Sequence, residues 1–116
     1  MSLKSVLFSW EGRIPRATYW SFIIGVNIIS FLLLFLIESI SDDLIWLTFI
    51  WYALLIYTSL AVSAKRWHDR DKSAWWILIN LIPIIGPLWT LIECGFLRGT
   101  TGQNKYGPDP FQANYL

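Results

Sequence analysis

Long apolar stretches alternate with short polar ones along the chain. Residues 18–37, TYWSFIIGVNIISFLLLFLI, and residues 44–64, LIWLTFIWYALLIYTSLAVSA, contain no charged side chain. Both are apolar all round instead of along one stripe, whereas a helix of a soluble bundle needs a polar outer face. About 20 helical residues at about 1.5 Å each cover the roughly 30 Å hydrocarbon core, so each stretch is predicted to span a bilayer. Residues 74–97, AWWILINLIPIIGPLWTLIECGFL, are also long enough, but Pro83, Gly86 and Pro87 interrupt the middle and Glu93 lies near the end. This third segment is expected either as a kinked span or as a re-entrant hairpin. A hairpin puts irregular backbone at depth, which is tolerated only where protein or water satisfies it. The expected fold is an all-α membrane protein: a small multi-pass helical bundle with two full spans and a broken third segment, in one membrane domain over 1–116.

The polar pieces set the orientation. Residues 1–17 mix Leu7, Phe8 and Trp10 with Lys4, Arg13 and Arg16, as suits a segment lying at the interface. Gly12 allows a turn there, and Pro15 suits the first turn of a helix because it has no N–H to lose. A cleaved signal peptide is not expected, because the first apolar run is too long and lacks a small-residue cleavage site. Residues 65–73 read as a basic loop, and residues 98–116 as a turn-rich tail punctuated by Gly99, Gly102, Gly107, Pro108 and Pro110. The loop after the first span holds Glu38, Asp42 and Asp43 and no base. Basic flanks stay inside, so the N-terminus and the 65–73 loop are expected in the cytoplasm of a bacterial cell. If the third segment spans, Arg98 and Lys105 lie outside; if it turns back, all nine bases lie inside. Charge and the paired breakers favour the hairpin.

Composition agrees with this placement. Hydrophobic residues make up 55% and charged residues 15%, against about 25% charged in soluble domains. The net charge of +1 gives no global basic field, so no nucleic-acid partner is expected. Eight Trp and five Tyr suit membrane interfaces, where a ring is half buried and its polar tip stays wet. Cys94 is the single cysteine, so no intrachain disulfide forms.

Candidate chemistry concentrates in residues 64–76, AKRWHDRDKSAWW. His68 and Asp69 suggest metal hydrolysis, but His68 is the only histidine, and a zinc site wants several His or Cys ligands. Neither a metal nor another cofactor is expected. His68 alone is a proton-sensitive group. If helix continues past Ala64, Lys65 and Arg66 face Asp69 at i+4 and i+3. Exposed pairs of that kind are worth only a few tenths of a kcal/mol. Contact with anionic lipid, at about 1 kcal/mol per base, fits the basic excess better.

Arg13 and Arg16 lie three apart and could clamp a phosphate, or a tail carboxylate such as Asp109, bidentately; the alternative is simple anchoring at the inner face. The tail lacks P-loop spacing. Gly102 and Gly107 are expected in backbone angles that other residues resist, with Asn104 and Asp109 bonding their own turns. Asn27 and Asn80, inside apolar runs, should seek partners on neighbouring helices. Glu93 should face protein or water, and a hairpin would bring it within reach of Arg66, Arg70 or Arg98. Ser21 and Gly25 offer a small-residue face for packing against another membrane protein or a second copy.

Three pieces in order, FSWEGRIPRATYW, AKRWHDRDKSAWW and GTTGQNKYGPDP, resemble the YhaH-like bacterial inner-membrane family of unknown function (DUF805). The matching positions are Gly12, Arg13, Arg16, Tyr19 and Trp20; Arg66, His68, Asp69 and Trp75; Pro83 and Gly86; and Gly99, Thr100, Gly102, Asn104, Tyr106, Gly107, Asp109 and Pro110. Lys72-Ser73-Ala74 departs from the pattern, which often has Gly before the Trp, so a less sharp turn is expected there. The resemblance implies a small multi-pass inner-membrane protein and supplies no activity. Arg13, Arg16, Arg66, His68, Asp69 and Arg70 are the candidate contacts of an adaptor or regulator, taking anionic phospholipid headgroups or a partner protein. The alternative is a transporter or channel subunit in which Glu93 and His68 carry protons or ions. An enzyme acting on headgroups or phosphate ranks last, for want of a nucleophile or ligand set.

Overall fold

A computed structural model of the chain describes residues 2–110; Met1 and tail residues 111–116 lie outside the described residues. The described residues form helices and turns. A short helix α1, Leu3–Phe8, is capped by Ser2, whose Oγ accepts from the Ser5 N–H at 3.2 Å. Helix α2 runs Arg16–Ile40. Pro15 precedes it in extended conformation, one position before the expected first turn. A 3-10 turn, Asp42–Leu44, is capped by Ser41 Oγ, which accepts from Asp43 N–H at 3.1 Å. Helix α3 then runs back over Ile45–Asp69.

α2 and α3 are long and apolar enough to cross a membrane, and only 6% of the apolar stretch of α2 and 17% of that of α3 is buried inside the protein. A soluble core helix would be covered; these present their sides to lipid. Both outrun the stretches read from the sequence. The expected loop at 65–73 is corrected: Lys65 to Asp69 form the last turns of α3, and the turn begins only at Arg70. Helix persists there because its charged side chains find partners within the protein, so water is not needed to solvate them.

The third segment doubles back. A 3-10 helix, Ala74–Leu81, leads to a turn, then α4, Ile85–Thr90, and a π-helical turn, Leu91–Phe96. Pro83 has no N–H to offer a helix, and Ile84 takes a left-handed φ of 67°. Ile85 N–H then bonds the Pro83 carbonyl at 2.7 Å. At Gly86 the returning arm presses on the outgoing one: a Cβ there would sit 1.9 Å from the Ile79 carbonyl oxygen. Thr90 Oγ1 donates to Asn80 Oδ1 at 2.9 Å and ties the arms together. The outgoing arm packs on α3 and the returning arm on α2, where Trp20 Nε1 donates to the Gly95 carbonyl at 2.6 Å.

This folding-back gathers the bases at one end, together with Glu11, Asp69, Asp71, Glu93 and Asp109. All nine bases sit where α2 begins and α3 finishes, while Glu38, Asp42 and Asp43 sit at the opposite end. Asn27 departs from expectation: its Nδ2 bonds the Ile23 carbonyl of its own helix at 2.8 Å, and no neighbouring helix is involved. Nothing lies within 4 Å of where a Gly25 Cβ would be, so no described residue packs on the small-residue face at Gly25.

Candidate functional site

The last turn of α3 is the centre of the charged end. Helical spacing puts Arg66 and Asp69 on one face, and the turn at Gly12 brings Arg13 against them. Arg13, Arg66 and Asp69 are 0%, 0% and 1% exposed. Asp69 Oδ1 accepts from Arg13 Nε at 3.0 Å, with Arg13 Nη2 also at 3.0 Å, and Oδ2 accepts from Arg66 Nη1 at 2.6 Å. One carboxylate thus answers two guanidiniums.

Backbone carbonyls take the remaining donors. Arg13 Nη1 donates to the Gly102 and Gly107 carbonyls at 2.7 and 3.2 Å, and Nη2 to Thr100 at 2.6 Å. Arg66 Nε donates to Cys94 at 2.6 Å, and its Nη2 to Leu97. Buried charge of this kind is tolerable only when paired and fully hydrogen-bonded. The planar five-donor fork of arginine suits such a hub, and lysine could not replace it.

The tail is shaped to reach this hub. Gly102 and Gly107 take φ of 79° and 139°, in the left-handed region that favours glycine. Gly99 passes so close that a Cβ would lie 1.9 Å from Asp69 Oδ2, and Thr100 N–H donates to the Asp69 carbonyl at 2.6 Å. Asp109 Oδ2 accepts from Gly102 N–H at 2.9 Å, closing the tail's own turn. Asn104 Oδ1 accepts from Tyr106 N–H at 2.8 Å, and its Nδ2 donates to the His68 carbonyl at 2.9 Å. The His68 ring lies flat on Tyr106, centroids 4.0 Å apart, and its Nδ1 is 3.0 Å from the Gly12 carbonyl, which holds a proton on that nitrogen. Pro110 is buried at the end of the clasp.

A second cluster joins the two ends of the hairpin. Glu93 Oε1 accepts from Lys72 Nζ and, at 3.0 Å, from Trp89 Nε1; Oε2 lies 3.5 Å from Arg70 Nε. Burial pulls the Glu93 pKa up, but Lys72, Trp89 and Arg70 outweigh it and hold this acid below its ordinary value. Trp67, Trp76 and Trp89 stack at 5.7 and 6.4 Å, and Lys72 Nζ sits 4.6 Å above Trp76, a cation–π geometry.

Several expectations change. Arg13, Arg66 and Asp69 face inward and spend their charge on one another, so they are not available to a headgroup or partner. Arg13 clamps the carboxylate of Asp69, while Asp109 accepts from the Gly102 N–H. Arg13 and Arg16 do not act together: Arg16 stays exposed and donates to the Phe96 carbonyl at 2.5 Å. Lys65, expected on Asp69, is buried and donates to the Ser9 carbonyl. Of the bases expected near Glu93, Arg70 reaches it, while Arg66 is committed to Asp69.

Lys72, Trp89 and Tyr106 are participants that sequence reasoning missed. Trp89 and Glu93 lie four apart on one turn, a signal that could have been read; the Lys72 and Tyr106 contacts depend on tertiary folding. Among the described residues no three His, Cys, Asp or Glu side chains converge on a common point.

Comparison with known proteins places this arrangement in a family. The family model described as protein of unknown function (DUF805) matches residues 7–108, which include every side chain of the hub and the clasp up to Gly107. The chain is 41% identical to inner membrane protein YhaH of Escherichia coli (strain K12) over 109 residues, covering 87% of this chain and 86% of the relative. It is 33% identical to inner membrane protein YhaI of the same organism over 112 residues, covering 95% and 92%. No solved structure matches the chain. Matched over most of its length and built as a small helical membrane protein, the chain belongs to the DUF805 family.

Proposed function

We propose that this chain is a non-enzymatic adaptor or regulator of the bacterial inner membrane, whose charged end lies at the cytoplasmic face and binds anionic phospholipid headgroups. The observation that carries this reading is the gathering of all nine bases at one end, where they outnumber the five acids among them, with no base at the opposite end. The relatives named as inner membrane proteins support the location. The buried hub is the scaffold, and the headgroup contacts come from the bases around it. Lys4, Arg16 and Lys105 are exposed, and Arg70 and Lys72 are half-buried. Near an anionic leaflet each exposed base contributes about 1 kcal/mol, within a Debye length of the surface.

Proton or ion transport is the weaker reading. Glu93 is held by Lys72 and Arg70, while His68 is engaged separately by Gly12 and Tyr106, so the two groups share no partner among the described residues.

Purification in mild detergent followed by lipid extraction tests the proposal. Lys4→Gln/Arg16→Gln/Lys105→Gln is expected to lower retained phosphatidylglycerol more than tenfold, with the helical circular dichroism unchanged. Equal retention would remove headgroup binding and leave a partner protein as the occupant of this face.

A further inference from the structure

The seven-residue spacing on α2 marks a seam whose middle is left uncovered by the described residues. Trp20, Ile24, Asn27, Phe31 and Leu34 recur at alternating intervals of four and three, the spacing of a helix that packs along one line against a second helix. At the charged end the hairpin covers Trp20. Between Trp20 and Leu34, which is half-buried beside Ile45, Thr48 and Tyr52, the seam is open: Ile24 is 56% and Phe31 71% exposed, and Asn27 between them is exposed as well.

Asn27 sits near the middle of α2, about 16 Å from Arg16 and about 20 Å from Ile40 at the helical rise. One amide N–H is used on the Ile23 carbonyl. No donor among the described residues reaches its Oδ1. Hydrocarbon supplies no hydrogen bonds, so this carboxamide needs a protein partner at its own depth.

We propose that α2 is a self-association helix and that the partner is a second copy of this chain, with Asn27 meeting Asn27. A carboxamide is self-complementary: its remaining N–H matches the oxygen of another. A two-fold axis along the membrane normal brings the same residue of each copy to the same depth. Nine bases at one end and none at the other orient both copies alike, so the helices pair in parallel. A single polar residue in such a seam also sets register and partner number. The inference rests on membrane insertion and does not depend on headgroup binding.

Oxidative crosslinking in native membranes tests it, with one introduced cysteine at a time; Cys94 is fully buried and does not compete. Ile24→Cys and Phe31→Cys are expected to give disulfide-linked homodimers. Ile29→Cys, 52% exposed on the opposite face of α2, is expected to give none. Adding Asn27→Leu to Ile24→Cys should lower the dimer yield three- to tenfold, in the range of interhelical hydrogen bonds in membranes, and Asn27→Gln should restore most of it. Asn27 is exposed, so neither change disturbs packing within one copy. Equal crosslinking from Ile29→Cys, crosslinks to a different protein, or a dimer yield indifferent to Asn27→Leu would each overturn the proposal.

Discussion

Asp69→Ala is expected to destabilise the charged end by about 3–5 kcal/mol, the range for removing one partner of a buried ion pair. The expectation follows from what remains. Arg13 and Arg66, neither with any solvent exposure, would face one another across an empty site with no anion between them. Neither can swing out, because Arg13 is held by carbonyls of the tail and Arg66 by those of Cys94 and Leu97. Asp69→Asn keeps the shape and one acceptor oxygen but loses the charge, so it should fall between the wild type and Asp69→Ala. Unfolding titrations in detergent, together with protease digestion of the tail, measure both effects. A loss below about 1 kcal/mol, typical of a surface pair, would mean that the triad does not hold this end together.

Gly86→Ala is expected to force the hairpin arms apart. Its Cβ would meet Ile79 O at 1.9 Å, Ile79 C at 2.7 Å and Asn80 Cα at 2.9 Å. All three are backbone atoms, so no rotamer relieves the clash. Overpacking usually costs about 1–3 kcal/mol, and this site belongs at the upper end. Separating the arms also breaks the Asn80–Thr90 bond. Gly25→Ala is the matched control: open space surrounds that position, and alanine favours a helix by about 1 kcal/mol over glycine. The same titration should therefore move in opposite directions for the two substitutions.

The spans were legible in the sequence because an uncharged, all-round apolar run of some 20 residues has few other stable homes. Pro83 and Gly86 were legible as a break for the same local reason: one lacks a donor and the other lacks a side chain. Burial of the charges was not legible. Lys65 to Asp69 look like a solvated helix end until Gly12 and the tail fold over them, and those contacts join residues 56 and 89 positions apart. A pattern of charge shows where partners are needed and does not show that carbonyls of two distant loops will meet the need. Gly99 illustrates the limit: as a turn residue it was ordinary, and only its approach to Asp69 explains why a side chain is excluded. Asn27 is a polar residue in an apolar run that calls for another helix, and among the described residues of one copy no second helix meets it.

Cysteine accessibility at Gln103, exposed in the tail, tests most directly whether the third segment returns to the face it left. In a chain whose tail clasps Arg13 and Asp69 at the cytoplasmic end, Gln103→Cys reacts with a membrane-impermeant maleimide in inverted vesicles and stays unlabelled in intact cells. Asp42→Cys, in the acidic loop at the opposite end, shows the reverse. Labelling of both Gln103→Cys and Asp42→Cys from outside intact cells would put the tail at the acidic end and contradict the hub, and labelling of Gln103→Cys alone from outside would contradict the proposed cytoplasmic placement of the basic face.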